Sequence, residues 1–353
     1  MRQVLNFIGG EFRPSLTETS LDDIAPATGE VIASIPASGA GDIDLAVGAA
    51  QGSQPAWGAQ EFDQRAGWLE RIADALEERT EEIASLESLD TGKPIAIARA
   101  TDAARSILNF RFFANLVREH HAERFEMADA VNEVLLKPVG IAGLITPWNL
   151  PLYLLSWKMA PALAMGNAVI AKPSELTPLT ANLLAEAIAE VGLPAGLVNI
   201  VHGLGPQCGQ ALVEHPDVRS ISFTGGTDTG RVVAASAAPL FKKLSLELGG
   251  KNASIILDDA DLETVVPAVA RAAFFNQGQV CLSGSRVLIA SSLWDDFVPR
   301  FITHVTSMRI GDPAAEDTEL GALVSLKHRA KVESFIATAI ETAISRTAAC
   351  VTG

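Results

Sequence analysis

Positive charge is in short supply in this chain. Its 27 Lys and Arg stand against 42 Asp and Glu, a formal net charge of −15 at pH 7 over 353 residues, and the only basic cluster is Phe241-Lys242-Lys243. A surface so acidic repels a phosphate backbone, which argues against a nucleic-acid partner. Cysteine is scarce as well. The three, at positions 208, 281 and 350, lie too far apart for a metal-ligand pattern or a disulfide framework, so no metal is expected and a reducing compartment fits. Long apolar runs are also missing. The start, MRQVLNFIGGEFRP, has no signal-peptide core. The longest apolar stretch, LPLYLLSWKMAPALAMGNAVIA, is interrupted by Lys158, by prolines and by Gly166-Asn167, whereas a membrane helix needs about twenty apolar residues. With no internal repeat and no low-complexity linker, these absences lead us to expect a cytoplasmic protein with no membrane partner.

What is present is ample material for a core, 48% hydrophobic and 20% charged, in a chain longer than one core usually serves, so two domains are expected. From Gly41 to about Arg118 the apolar spacing is helical. GDIDLAVGAAQ opens with an Asp as the expected N-cap. A helix running through QRAGWLERIADALEERTEEIASLESLDTGK stops at the Gly and Pro of Asp90-Thr91-Gly92-Lys93-Pro94, and ARATDAARSILNFRFFANLVREHHA reads as another. The character then changes. VNEVLLKPVGIAGLITPWN, AVIAKPSE, LVNIVHG, SISFTGG, KLSLELGG and ASIILDD read as short strands, and helical segments fall between several of them. Alternation of this kind predicts an α/β fold with a parallel, doubly wound sheet.

Five short motifs carry chemistry. FTGGTDTG (223–230) sits at a strand-to-helix turn, with Gly225 and Gly230 in a GxxxxG spacing. Its backbone N–H groups suit a pyrophosphate, but an ordinary turn reads the same way. IAKPSE places Lys172 and Glu175 just past a strand end, suited to the two hydroxyls of a ribose or to a surface ion pair. LELGGK puts Glu247 before two glycines. There it is either a general base with a raised pKa among apolar neighbours or a solvent-facing strand residue. PWNLP holds Asn149 between two prolines, as an oxyanion donor or as a turn cap. FFNQGQVCLSGSR sets Cys281 between Gly278 and Gly284. A small buried apolar residue and a nucleophilic thiol on a constrained perch are both compatible with that setting.

In the order PWNLP, KPSE, FTGG, ELGGK and GQVC, the chain resembles the NAD(P)-dependent aldehyde dehydrogenases from about Phe7 onward. The resemblance implies a Rossmann-like cofactor domain, a catalytic domain and an oligomerisation hairpin. It makes Cys281 the nucleophile, Glu247 the general base and Asn149 the oxyanion donor. NAD is the implied cofactor, with Lys172 and Glu175 as ribose ligands and Gly225 and Gly226 at the pyrophosphate turn, where many members have Gly-Ser. Ile145, Thr146, Pro147, Trp148, Ser174, Phe223, Thr224 and Leu248 are implied to border the cofactor, and Leu150 and Leu282 the aldehyde. In the implied mechanism a Cys281 thiohemiacetal passes its hydride to the nicotinamide, and Glu247 then activates the water that releases a carboxylic acid. Cys208 and Cys350 match no family motif and are expected to be packing or surface residues.

Within the family, RSILNFRFFA and WNLPLYLLSWKMAPALAMGNAVIAKPSELT are most similar to 2-aminomuconate and 2-hydroxymuconate semialdehyde dehydrogenases. In these, the position of Arg105 holds the substrate's distal carboxylate. Taken without the resemblance, Arg105 also reads as a helix-surface partner of Asp102. Leu150, where many relatives have Phe, is expected to widen the aldehyde tunnel. Betaine-aldehyde and generic aliphatic enzymes are the enzymatic alternatives. The implied domains are 1–122 with 139–248 for the cofactor, 123–138 for the hairpin, whose second strand is expected at Asn132 to Lys137, and 249–353 for an incomplete catalytic domain. Family members continue well past residue 353, so a non-catalytic nucleotide-binding remnant is the alternative from another class. A homodimer or higher homo-oligomer is expected.

Overall fold

A computed structural model describes residues 2–120 and 122–350, with side chains described as far as Thr342. The chain begins with five short strands, β1 (Arg2–Gln3), β2 (Asn6–Ile8), β3 (Glu11–Arg13), β4 (Ser20–Ile24) and β5 (Val31–Pro36). Helices α1 (Ala40–Gly58), α2 (Phe62–Glu77), α3 (Thr80–Thr91) and the single turn α4 (Ile95–Ile97) follow, and a π-helical turn over Ala98–Ala103 leads into α5 (Ala104–Arg118). A hairpin, β6 (Glu123–Glu126) and β7 (Val131–Val134), precedes the alternating part. That part runs β8 (Ile141–Ile145), α6 (Pro151–Ala164), β9 (Ala168–Lys172), α7 (Leu179–Glu190) and β10 (Val198–Ile200). It continues with α8 (Gln210–Glu214), β11 (Val218–Thr224), α9 (Thr227–Ala237) and β12 (Lys243–Glu247). Last come β13 (Ala253–Ile256), α10 (Leu262–Phe274), β14 (Arg286–Ile289), α11 (Trp294–Thr306) and α12 (Leu326–Cys350).

Two helix boundaries differ from expectation. The N-cap of α1 is Gly39, and Asp42 sits three residues in, where its Oδ2 accepts from the Gly39 N–H at 3.1 Å. The carboxylate therefore acts from inside the first turn rather than as the cap itself. The long helix expected through residues 64–93 is broken at Glu78-Arg79, where the Thr80 hydroxyl donates to Glu77 O at 2.7 Å and takes a carbonyl from the helical ladder. Its far end is as expected, because Gly92 adopts φ 76° and closes α3.

The main sheet has seven strands in the order β12-β11-β8-β9-β10-β2-β3. The five from β12 to β10 are parallel, and β9, buried throughout, reads as the near-continuous apolar run a doubly covered strand requires. The expectation of a wholly parallel sheet is corrected at one edge. Gly9 and Gly10, at φ 66° and 85°, make a two-residue turn that folds β3 back on β2, and β2 then meets β10 antiparallel. The hairpin strand is also shorter than expected. Val131 to Val134 use up the partners Glu126 to Glu123, so residues 135–137 run on unpaired.

Apolar packing forms two separate clusters. The larger surrounds the seven-stranded sheet and includes Val4, Phe110, Met159, Ile170 and Val233. The smaller, of Ile256, Val266, Val269 and Phe297, lies between the parallel pair β13–β14 and helices α10 and α11. From β8 the chain builds outward through β9 and β10 on one side, then returns to add β11 and β12 on the other. The carboxyl ends of β8 and β11 therefore flank a topological switch point, where a doubly wound sheet opens a crevice.

Candidate active site

That crevice holds a cavity of about 660 Å³. Ile145, Thr146, Pro147 and Trp148 line it after β8, Lys172, Ser174 and Glu175 after β9, and Phe223, Thr224, Gly225 and Gly226 after β11. Lys172 Nζ donates to Pro173 O at 2.9 Å and to Glu175 Oε2 at 3.1 Å, which sets ammonium and carboxylate side by side at the rim. Gly226 begins α9 without a side-chain cap, so the first-turn N–H groups have no side-chain acceptor there. A Cβ on Gly226 would meet nothing within 4 Å, whereas one on Gly225 would stand 2.6 Å from the Phe223 ring. The hydroxyl oxygens of Thr146 and Thr224 are buried without a partner among the described residues. Free helix-start donors, a Lys-Glu pair and unpartnered hydroxyls fit a dinucleotide's phosphates and ribose. Leu248 does not line this cavity. It packs on α9, where a Cβ at Gly230 would stand 2.5 Å from it.

Sequence reasoning missed two neighbours of the cavity. His328, near the start of α12, sets its ring edge-on to Trp148, with centroids 4.9 Å apart. Behind Lys172, burial and the Lys172 charge push the His202 imidazole down to about 3, so it is neutral. Burial pushes the nearby Cys208 thiol up to about 12. That leaves Cys208 an inert packing residue, as expected. The Cys350 side chain lies outside the described residues.

Cys281 is exposed, on the loop between α10 and β14. Two loops hold its backbone. Asn252 Nδ2 donates to Cys281 O at 2.8 Å, and the position a Cβ would take on Gly250 is 3.3 Å from that same oxygen. The ELGGK turn therefore abuts the cysteine. On the other side, Asn149 Nδ2 donates to Gln279 O at 2.7 Å, two residues before Cys281. Asn276 and Gln277, at φ 51° and 57°, are consecutive non-glycine residues in the left-handed region. Such strain persists only where surrounding contacts over-determine it. Here Asn276 Nδ2 donates to Asn149 O at 3.0 Å, and Gln277 Nε2 donates to Gly92 O and Ala322 O at 3.2 and 2.9 Å. Leu150 is buried at the start of α6, while Leu282 is exposed beside the cysteine.

Glu247 ends β12, the edge strand, and is exposed. The apolar surroundings expected around it are not found, because one side of β12 has no neighbouring strand. Its register does place it in the site. Thr224 pairs with Glu247 and Ser222 with Ser245, so Glu247 and Ser222 point to the same face of the sheet. On that face Lys158 Nζ, from α6, donates to Ser222 Oγ at 2.8 Å. Burial pushes the Lys158 ammonium down to about 8, and the Glu247 carboxylate acts in the opposite direction.

Arg105 lies in the first turn of α5 with its guanidinium 5.4 Å from the Tyr153 ring centroid. Among the described residues it makes no hydrogen bond or ion pair, whereas Arg99, Arg111 and Arg118 are each paired with two carboxylates. Asp102, the helix partner weighed from sequence, is not available to it. Both Asp102 oxygens accept from the fully buried Lys93 Nζ at 2.9 Å.

An exposed thiol, a side-chain amide bonded to its loop, a glycine turn abutting it and a cavity suited to a dinucleotide stand on adjoining loops, and the chain as a whole is similar to known proteins. The sequence model of the aldehyde dehydrogenase family matches residues 12–353. The 2-aminomuconic semialdehyde dehydrogenase of Mus musculus is 46% identical over 94% of this chain and 68% of its own. The 2-hydroxymuconic semialdehyde dehydrogenase of Pseudomonas sp. (strain CF600) is 42% identical over 97% of this chain and 72% of its own. Among solved structures, PnpE from Pseudomonas sp. WBC-3 superposes with a TM-score of 0.94 at 43% identity, over 96% of this chain and 70% of that one, and has also been solved with nicotinamide adenine dinucleotide. Motifs, fold and matched length agree: the chain belongs to the aldehyde dehydrogenase family, and its chemistry is the nicotinamide-dependent oxidation of an aldehyde.

Proposed function

We propose that the substrate is an aldehyde carrying a distal carboxylate, a muconate-type semialdehyde, and that NAD is used in preference to NADP. The observation that carries the substrate reading is the unpaired Arg105 beside Tyr153. Tyr153 lies in the first turn of α6, the helix that follows the Asn149 turn. A guanidinium fork suits the distal carboxylate, and in an acidic protein a local cation is what an anionic substrate needs. A betaine aldehyde is itself a cation, which an unpaired arginine repels. The names of the mouse and Pseudomonas relatives support the same class.

In the proposed mechanism the Cys281 thiolate adds to the aldehyde carbon and gives a tetrahedral thiohemiacetal. Asn149 Nδ2 keeps one N–H on Gln279 O and turns the other to the new oxyanion, aided by the Cys281 backbone N–H. When bound in the cavity, against Lys172, Glu175, Gly225 and Gly226, the nicotinamide dinucleotide supplies the hydride acceptor. The thioester left on Cys281 is then hydrolysed by a water from which Glu247 withdraws a proton, and the carboxylic acid departs.

The two apolar clusters support the division of the chain into 1–122 with 139–248 for the cofactor and 249–353 for catalysis, with 123–138 as an oligomerisation hairpin. No helix among the described residues is long and apolar enough to cross a membrane. A cytoplasmic location is part of the proposal, supported by the free thiols Cys208 and Cys281; recovery in a membrane or secreted fraction would remove it. The substrate reading is tested by Arg105→Ala. Loss of a charge-assisted contact of about 1.5–3 kcal/mol lowers kcat/KM roughly ten- to a hundred-fold for a muconate-type semialdehyde and leaves a neutral aldehyde of similar length unaffected. An equal loss for both would reduce Arg105 to a helix support.

A further inference from the structure

We propose that Lys93 is a positioning residue for catalysis, holding the oxyanion donor Asn149 in place through its main chain. The inference rests on the reading of Asn149 given above. Lys93 follows the glycine that ends α3, and from the sequence it counts only as part of a helix stop. In the structure it is fully buried. Its ammonium meets both oxygens of Asp102 at 2.9 Å and Asn149 O at 3.0 Å, with the fully buried Glu87 carboxylate 3.8 Å away. Two buried carboxylates, Asp102 and Glu87, already face the charge, so the bond to Asn149 is more than its neutralisation requires.

Asn149 O is also the atom that receives Asn276 Nδ2. Two donors on one carbonyl fix the peptide plane after Asn149, and with it the direction in which the side chain leaves the backbone. One of those donors stands on the strained Asn276-Gln277 pair that leads to Cys281. Gln277 is tied in turn to Gly92 O, the residue before Lys93. The α3 stop, the PWNLP turn and the cysteine loop thus meet at a single buried junction around the Lys93 ammonium. A donor displaced by a fraction of an ångström loses much of its effect on a developing oxyanion.

Replacing Lys93 alone would strand a buried carboxylate, so the test uses the neutral pair Lys93→Gln with Asp102→Asn, in the parent and in an Asn149→Ala background. In the parent background kcat falls about ten- to a hundred-fold, while KM and nucleotide affinity stay close to the parent values. With Asn149 already Ala, the same pair lowers kcat by less than about twofold. If Asn149→Ala by itself leaves kcat unchanged, the reading of Asn149 fails and the inference falls with it. If Asn149→Ala is damaging but the pair costs the same factor in both backgrounds, only the positioning role is overturned. Should the neutral pair not fold, Lys93→Met with Asp102→Leu, which replaces both members of the 2.9 Å ion pair by apolar side chains, carries the same cycle. Failure of both pairs to fold would assign Lys93 to the scaffold and end the proposal.

Discussion

Asn149 donates its side-chain amide to the backbone oxygen of Gln279 at 2.7 Å, although 130 residues separate them. The bond joins the turn between β8 and α6 to the loop between α10 and β14. It places the amide two residues from Cys281, so the proposed oxyanion donor is held beside the thiol's loop by a bond of the fold itself. The same economy appears at Cys281 itself, whose carbonyl is held by Asn252 while the side chain stays exposed. The backbone is anchored and the thiol is left free.

From this arrangement Cys281→Ala is expected to abolish aldehyde oxidation while nucleotide affinity stays within about twofold, because the cavity at β8, β9 and β11 does not include Cys281. Steady-state assay beside fluorescence titration of the nucleotide checks both halves. Retention of more than a few per cent of activity would remove Cys281 from the reaction.

Glu175 decides the cofactor reading. Lys172 holds its carboxylate at the cavity, where in the proposed complex it would accept from a ribose 2′-hydroxyl and repel a 2′-phosphate. Glu175→Ser is expected to shrink the preference for NAD over NADP by about tenfold, which corresponds to ~1.4 kcal/mol. Equal kcat/KM for the two cofactors in the unaltered protein would refute it.

The β6–β7 hairpin is exposed along both strands, with Phe125, Met127, Val131, Val134, Leu135 and Leu136 all open to solvent. Apolar side chains concentrated on one projecting hairpin are expected to be covered by a second copy of the chain. Phe125→Lys with Val134→Lys should shift sedimentation toward the monomer at micromolar concentration. A parent that already sediments as a well-behaved monomer defeats the idea.

Asp23 supplies a pH dependence of stability. Burial pushes its carboxyl up to about 7, beside the equally buried Asp90, whose pKa is raised by the same cause. An unfolded Asp titrates near ~3.9. Between those values the native state keeps a proton that the unfolded chain has released, so stability falls as pH rises through that window. Asp23→Asn removes the titration. The melting temperature of the variant relative to the parent is expected to rise from pH 5 to pH 8, by ~2–4 °C for each ~1 kcal/mol of linkage lost. Parallel melting curves across the window would show that Asp23 is not the group responsible.

The sequence by itself determined the chemistry, because that chemistry is written in short local patterns. Gly225-Gly226 before a helix, Lys172 past a strand, Asn149 between prolines and Cys281 among glycines are each local and each open to a plainer reading alone, and their order along the chain is what marks the family. All four motifs lie at turns where the backbone is punctuated by glycine or proline. The alternation of strands and helices was legible for the same reason, since periodicity is a property of a dozen residues. Whatever depends on partners far along the chain was decided only by the tertiary structure. Arg105 and Asp102 are three residues apart on adjoining helical turns, and nothing local says that Asp102 is taken by Lys93, or that Arg105 is thereby left free. The β2–β10 pairing crosses some 190 residues and turns one edge of the sheet antiparallel. Glu247 proved exposed because β12 is an edge strand, a fact set by the order of strands rather than by the residues around it. Burial and hydrogen-bond saturation are properties of the packed whole: a lysine in a helix stop becomes an internal clamp only when a carboxylate and a carbonyl from elsewhere in the fold close over it.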